Sequence, residues 1–550
     1  MIPSNPVLAL APLALLFFGA KRLLTFLHLF QQEEYDSRRF LSWLWNARAF
    51  DKRVSLGLLV GGIAGAYLGG VEGQHVALGL GTVAALFVGY YAPDPRKAGK
   101  KPLNMTKRAR RLIGVAFLLL ILLATPASLA VWLIGPTAYG NALAAALGIV
   151  LVQLMPLYLV VANMVMGPFE RRINARFLRE GSEALAKVKP VVVAITGSYG
   201  KTSTKHILAH ILSSSVPTLA TPGSVNTPLG IARILRERLK PNHRYLVVEM
   251  GAYGIGSIAR LCALTPPDFA AITAVGLAHH ERFKSLEAVA QAKFEIAEAT
   301  IARHGRVVLD ADAIPATARD ARVAANPASF ALVGRAPELV GLKGYLIADA
   351  TQSEAGVAFT FAHQGASVRV AAPIFGLHQV DNIAVALALA LEIGVPVETA
   401  VATLRTLPQI PHRLQVLRNE GQATVIDDAY NANPVGFASA LDLLATLAGK
   451  KHRRILVTPG MVELGQAHEA EHRRIGKLAG DTVDLALVIR GARIPSFIEG
   501  FEAGARAGHE LERFASFAAA KRWLTENGRP DDVILYENDL PDLYETKLKL

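Results

Sequence analysis

Two hydrophobic regimes divide the chain. Up to about residue 166, apolar positions run in blocks, and residues 54–70, 76–92, 112–134 and 143–166 contain no Asp, Glu, Lys or Arg. The last two blocks are long enough to cross a bilayer; the first two are short. Residues 6–20 continue into 23–30 across Lys21 and Arg22, giving a weaker fifth span that needs those side chains to reach a headgroup layer. A signal peptide competes for this stretch, but positive charge follows the apolar run instead of preceding it, and no cleavage site is clear. Glu72 is expected in a turn, 70–73, between the first two blocks. Gly61, Gly65 and Gly69 recur at helical spacing, which suits close packing of membrane helices.

Beyond Pro190 the pattern shifts to short β-branched runs alternating with amphipathic stretches. Runs at 191–195, 245–249, 269–273 and 306–309 predict strands of a mostly parallel α/β domain, with a small antiparallel patch over 345–371. A second α/β unit starts near Pro411, with strands at 423–426, 454–457, 485–489 and 532–536. A polar, Arg-rich helical stretch, 169–189, links the two regimes.

Composition and charge sharpen this picture. Mean hydropathy of +0.32 is too high for an ordinary soluble protein, and 550 residues suggest three or four domains. One cysteine, Cys262, rules out an internal disulfide and suits a reducing compartment. The net charge of +13 raises the question of nucleic acid, and its placement answers it. Arg38, Arg39, Arg48, Lys52 and Arg53 lie between the first two spans, and eight Lys or Arg fall in 94–111, whereas 70–73 and 135–140 carry none. The alternation predicts five spans with the N-terminus outside and everything after residue 166 in the cytoplasm. The charge is a topology signal, and no nucleic-acid partner is expected. Aromatic residues among charges at 35–50 suggest a helix lying in the inner interface, for anchoring or for contact with a lipid substrate.

The chemistry centres on Thr196-Gly197-Ser198-Tyr199-Gly200-Lys201-Thr202, between a strand and a helix expected from about 201 to 212. Backbone amides of Gly197, Ser198 and Gly200 and the helix start at Thr202 and Ser203 would cradle phosphate; Lys201 would add charge, and the Thr202 hydroxyl would bind Mg²⁺. Only two residues separate the glycines, so this is not the ordinary P-loop spacing. Glu249, ending a strand, is placed for Mg²⁺ as well. Each of His279, Lys293 and Arg413, taken alone, is as readily a structural residue.

The shortened loop, Glu249, His279 after the next strand and Ala292-Lys293-Phe294-Glu295-Ile296 follow the order of motifs in the Mur ligase family of ATP-dependent amide-forming enzymes, which this chain resembles from about residue 190 to 540. The resemblance implies one Mg²⁺ held by Thr202 and Glu249, and a second site at His279 and Lys293, the lysine being carbamylated in several members. Gly376-Leu377-His378-Gln379-Val380-Asp381-Asn382 implies adenine contact by Asn382; a helix N-cap is the plainer role for it. Arg413 would reach ATP phosphates. The run Asp427-Asp428-Ala429-Tyr430-Asn431-Ala432-Asn433-Pro434 resembles the branch that adds D-alanyl-D-alanine to a muramoyl tripeptide: Asp427 or Asp428 would bind ribose, and Tyr430, Asn431 and Asn433 would position acyl phosphate and amine. Lys201, His279, Lys293, Arg413 and Asn433 are thus the catalytic candidates. Two departures stand out. Pro459-Gly460 replaces an acidic pair member before Met461-Val462-Glu463-Leu464-Gly465, and membrane spans occupy the place of the family's UDP-sugar domain.

The expected architecture is an α-helical transmembrane domain (1–166) followed by a central ATP-binding α/β domain (167–408) and a Rossmann-like C-terminal domain (409–550). The expected activity is ATP-dependent joining of a carboxylate-bearing envelope precursor, lipid-linked or soluble, to an amino acid or dipeptide at the cytoplasmic membrane, with ATP, Mg²⁺ and membrane lipid as partners. A membrane transport ATPase, or a ligase of another envelope polymer such as a polyglutamate capsule, is the alternative.

Overall fold

The computed structural model describes residues 6–97, 102–276, 283, 285–336, 344–429, 433–462 and 464–538. His279, Tyr430, Asn431 and Glu463 lie outside the described residues. The chain divides into two compact units, at Ile173 and Asn174.

The first unit is helical: α1 (Pro6–Gln32), α2 (Ser37–Asn46), α3 (Lys52–Leu68), α4 (Gly70–Tyr91), α5 (Lys107–Ile134), α6 (Ala138–Gln153) and the start of α7 (Met155–Val188). Among the described residues, the helical stretches Leu10–Gln32, Gly70–Tyr91 and Lys107–Ile134 are long and apolar enough to cross a membrane. The 54–70 block forms α3, whose 17 residues rise about 26 Å against a hydrocarbon core of about 30 Å. The 143–166 block is not one straight helix. It breaks between α6 and α7 with a 52° bend, because Pro156, in the first turn of α7, cannot donate to the ladder of α6. The turn between the first two blocks also sits earlier than expected: Gly69 and Gly70 make it, with φ of +65° and +56°, and Glu72 falls in the first turn of α4. Gly61 and Gly65 do pack closely, since a Cβ on Gly61 would lie 2.8 Å from the Ala77 carbonyl, while Gly69 faces open space. Asn141 of α6 donates to the Gly65 carbonyl at 2.9 Å.

The second unit carries two sheets. The first has nine strands in the order β2-β3-β1-β4-β5-β6-β7-β8-β9: β1 (Val191–Thr196), β2 (Thr218–Ala220), β3 (Tyr245–Glu249), β4 (Phe269–Ile272), β5 (Arg306–Asp310), β6 (Phe330–Gly334), β7 (Gly344–Ser353), β8 (Gly356–His363) and β9 (Ala366–Ala372). Its pairs are parallel through β7, and β8 and β9 close it as an antiparallel meander. The antiparallel patch expected at 345–371 therefore extends the main sheet. The β-branched residues of β1 are buried on both faces, as a strand covered by helices on both sides requires.

The second sheet has six strands, β10 (Gln415–Leu417), β11 (Thr424–Asp428), β12 (Arg454–Thr458), β13 (Leu485–Ile489), β14 (Glu510–Phe514) and β15 (Val533–Glu537), in the order β10-β11-β15-β12-β13-β14. All its pairs are parallel except β10 with β11. β15 stands between β11 and β12, so three carboxyl ends, at Asp428, Glu537 and Thr458, adjoin at one edge.

Candidate active site

The turn after β1 is pinned before it reaches its helix, α8 (Lys201–Ser213). Thr196 Oγ1 donates to the Met250 carbonyl at 2.9 Å, and Ser198 Oγ exchanges hydrogen bonds with Gly276 O and N, both 2.9 Å. Gly200 caps α8 with φ of +84°. A Cβ there would collide with Asn382 Oδ1, so the glycine serves both the left-handed turn and the close approach of a second helix. Lys201 curls back over the loop, its Nζ donating to Gly197 O at 2.7 Å. Desolvation holds its pKa below the usual lysine value; Glu249 opposes this and Arg413 adds to it. Lys293, 5 % exposed, is pushed well below the usual value by burial and then by the charge of Lys201. Among the described residues no acid pairs with either ammonium.

Thr202 Oγ1 donates to Glu249 Oε2 at 2.9 Å. Lys205, one turn along α8, is buried with its Nζ 3.2 Å from the same oxygen and also donates to Gly223 O. Asn226 Nδ2 donates to Glu249 Oε1 at 3.1 Å, and the Glu249 backbone N–H donates to Thr221 Oγ1. Lys205, Asn226 and Thr221 were not singled out from the sequence. For Lys205 a signal existed, because it lies three residues from Thr202 and shares its helix face.

Asn382 lies inside the helix Gln379–Ile393 and is not its N-cap, a position held by His378. Its Oδ1 accepts from Thr204 at 3.3 Å and its Nδ2 donates to Gln379 Oε1 at 2.9 Å. The His378 ring is pushed down to about 4 by burial and by Arg413, and its buried Nδ1 has no hydrogen-bond partner. Arg413 brings its charge from the start of the second sheet's domain to this loop: it bears on Lys201, Lys205, His206, His378 and Asp428.

The two adjacent acids differ. Asp427 pairs with His412 Nδ1 at 2.8 Å and accepts from Ala429 N. Asp428 is buried, accepts from Leu414 N at 3.1 Å, and is raised to about 6 by burial, partly offset by Arg413. Asn433 caps the helix Pro434–Ala448, its Oδ1 accepting from Val435 N and Gly436 N at 3.1 and 2.9 Å, which leaves its amide N–H groups for a ligand.

A nucleotide triphosphate with Mg²⁺ fits this arrangement. An octahedral ion with ligands at 2.0–2.1 Å has ligand edges of about 2.9 Å, the separation of Thr202 Oγ1 and Glu249 Oε2. The desolvated ammonium of Lys201, beside the phosphate-loop amides, calls for anionic oxygens. Among the described residues no cluster of three or more His, Cys, Asp or Glu could hold a metal alone, so phosphate oxygens or water would complete the shell.

Residues 195–390 match the Mur ligase middle domain, and residues 412–536 match the Mur ligase glutamate ligase domain. The UDP-N-acetylmuramoyl-tripeptide–D-alanyl-D-alanine ligase of Mycobacterium tuberculosis (strain ATCC 25618 / H37Rv) is 37% identical over 362 residues, covering 62% of this chain and 69% of the relative. The ligase of the same name from Escherichia coli (strain K12) is 33% identical over 296 residues, covering 52% and 62%. Among solved structures, MurF from Acinetobacter baumannii superposes with a TM-score of 0.56 at 27% identity, over 66% of this chain and 77% of that one. MurF from Thermotoga maritima, in complex with ADP, gives 0.55 at 25% identity, over 66% and 80%. With the phosphate loop, the acid at the end of β3 and the two sheets in the family's order, the chain belongs to the Mur ligase family of ATP-dependent acid–amino-acid ligases.

Proposed function

We propose that this chain is a membrane-anchored ligase that uses ATP and Mg²⁺ to join the carboxylate of a peptidoglycan precursor to an amine, and that the precursor is carried on a lipid. The observation that carries the ligase reading is the convergence of Lys201, Lys293 and Arg413, from two domains, on one loop beside Thr202 and Glu249. Relatives at 37% identity are named for adding D-alanyl-D-alanine to a UDP-muramoyl tripeptide. This chain would perform the same class of reaction.

The substrate carboxylate attacks the γ-phosphorus of ATP. ADP leaves, and the acyl phosphate is then attacked by a neutral amine, with phosphate departing. Loop amides, Lys201 and Arg413 would hold the transferring phosphoryl oxygens, which is where most catalysis of such transfers arises. Thr202 and Glu249 would hold Mg²⁺, which neutralises phosphate charge when bound. Lys293 and His279 would form the second cation site, with Lys293 carbamylated. Asn382 would face the adenine. Asp427, whose carboxylate is turned outward to His412, suits the ribose better than the buried Asp428. Asn433 would orient the amine.

Domain bounds of 1–166, 167–408 and 409–550 go with this reading, the first spanning the cytoplasmic membrane with its N-terminus outside and the ligase domains inside. Its support is apolar: Leu59, Ile63, Tyr67, Val83, Phe87, Trp132 and Met164 are all exposed in the helical unit, a surface that lipid would cover. Docking of a lipid-linked precursor near α2 would follow from the exposed aromatics Trp45 and Phe50 there. The test is the full chain in lipid nanodiscs, given one muramoyl peptide in lipid-linked and in UDP-linked form. Faster ATP-dependent ligation of the lipid-linked form is expected; equal rates would remove the lipid proposal while leaving the ligase.

A further inference from the structure

Glu249 is enclosed by the loop that follows β2. Thr227 caps the helix Pro228–Arg238, with Pro228 in its first turn, and this fixes the backbone of the preceding residue, Asn226. The Asn226 carbonyl accepts from Gly251 N at 3.2 Å. A Cβ on Gly251 would lie 3.0 Å from the Asn226 side chain, so the glycine admits that amide against the loop after β3. A carboxylate can only accept hydrogen bonds. The amide nitrogen of Asn226 therefore faces Glu249 Oε1, at 3.1 Å, and its Oδ1 faces the other way, where the Tyr253 hydroxyl donates to it at 3.1 Å. Tyr253 is 39 % exposed. A hydroxyl at the surface thus reaches, through one amide, one oxygen of Glu249, while the other oxygen, Oε2, is shared by Thr202 and Lys205.

We propose that Tyr253 and Asn226 are positioning residues that hold Glu249 to presenting a single oxygen, Oε2, beside Thr202, and that this makes the nucleotide site select Mg²⁺ over Ca²⁺. This rests on the Mg²⁺ site of the ligase reading above. Mg²⁺ demands a near-ideal octahedron with ligands at about 2.0–2.1 Å, whereas Ca²⁺ takes more oxygens, at about 2.3–2.6 Å, and accepts a carboxylate through both of its own. One-oxygen presentation suits the smaller ion. To give both oxygens to one cation beside Thr202, the Glu249 carboxylate would have to turn, drawing Oε1 off Asn226. Asn226 cannot follow, because its backbone is tied to Gly251 and its amide oxygen to Tyr253. Tyr253 acts only through Asn226: without the phenol, that amide is released to rotate, and Glu249 with it. Partners of this kind orient a metal-binding side chain, and their loss typically lowers metal affinity about 10–100-fold.

The test is Mn²⁺ binding to the full chain with ADP, read from the electron paramagnetic resonance signal of the free ion, followed by displacement with Mg²⁺ or Ca²⁺. The parent chain should need at least about tenfold more Ca²⁺ than Mg²⁺ to release Mn²⁺. Tyr253→Phe and Asn226→Ala should each weaken Mn²⁺ binding and bring the two displacing concentrations toward equality. Equal displacement in the parent chain overturns the proposal, as does a preference that survives in both variants. Tyr253→Phe removes one surface hydroxyl and keeps the ring, so it reports even where Asn226→Ala disturbs the loop. Binding of ADP without metal, measured by fluorescence anisotropy of a labelled nucleotide, should match between parent and variants. Its absence from the parent would instead overturn the nucleotide site itself, and the proposal with it.

Discussion

Lys205 and Glu249 form an ion pair closed to solvent, Nζ to Oε2 at 3.2 Å, on the same carboxylate that accepts from Thr202. Removing one partner of such a pair leaves a buried charge uncompensated, at a cost of about 3–5 kcal/mol. Lys205→Met should therefore lower the urea midpoint markedly. Saturating Mg²⁺ and ADP should narrow the gap, since a cation then returns to Glu249. A midpoint unchanged from the parent chain would show that the pair contributes nothing.

Gly200 holds φ at +84°, and a Cβ would strike Asn382 Oδ1. The left-handed conformation alone costs a non-glycine residue about 1–2 kcal/mol. Gly200→Ala should weaken ADP binding at least about tenfold while sparing the melting temperature of the apo chain to within a few degrees. Equilibrium nucleotide titration checks this, and unchanged affinity would separate the loop from phosphate.

Asp310 ends β5 close to Asp381 and Asp312; burial, then the charge of Asp381, raises it from 3.8 to about 7. A carboxyl with a raised folded pKa binds more protons folded than unfolded, so its contribution is full below the unfolded value and is lost as pH rises through the folded one. Unfolding midpoints should thus fall between about pH 4 and pH 7 through this residue, and Asp310→Asn should flatten that slope. An equally steep slope in the variant would assign the titration elsewhere.

Lys293 is 5 % exposed, faces the charge of Lys201 and has no acid among the described residues. Burial and the charge of Lys201 lower its pKa well below the usual lysine value, which favours the neutral amine, the form that takes up carbon dioxide. Chain equilibrated with ¹³C-bicarbonate should show a carbamate carbonyl resonance that disappears in Lys293→Ala. A resonance retained in that variant would place the carbamate on another amine.

In the helical unit, Asn104 precedes α5 and Ala138 opens α6. With cysteines placed at each, a membrane-impermeant reagent added outside should label position 138 and spare position 104. The reverse pattern would invert the proposed topology.

Much of the second unit was legible from short-range pattern. The β-branched runs became β1, β3, β4, β5, β11, β12, β13 and β15, because a parallel strand covered on both faces must be continuously apolar. β14 escaped notice because its Glu510-Leu511-Glu512-Arg513-Phe514 sits half-exposed at a sheet edge and reads as polar. The bend between α6 and α7 depends on one residue, Pro156, inside an otherwise unbroken apolar block. At the site, Lys201, Thr202, Glu249 and Arg413 announced themselves through motif order, whereas Lys205 and Asn226 depend on which strands become neighbours. Asn226 lies 23 residues before Glu249, and only the pairing of β2 beside β3 joins them.

The most direct test of the ligase reading is exchange of labelled ADP into ATP by the purified full chain with Mg²⁺, ATP and a muramoyl tripeptide precursor, without any amine. Reversible acyl-phosphate formation at Lys201 and Arg413 requires exchange that depends on the precursor and is abolished in Lys201→Ala while the chain keeps its fold. ATP turnover that ignores the precursor, or exchange that survives in Lys201→Ala, would contradict it.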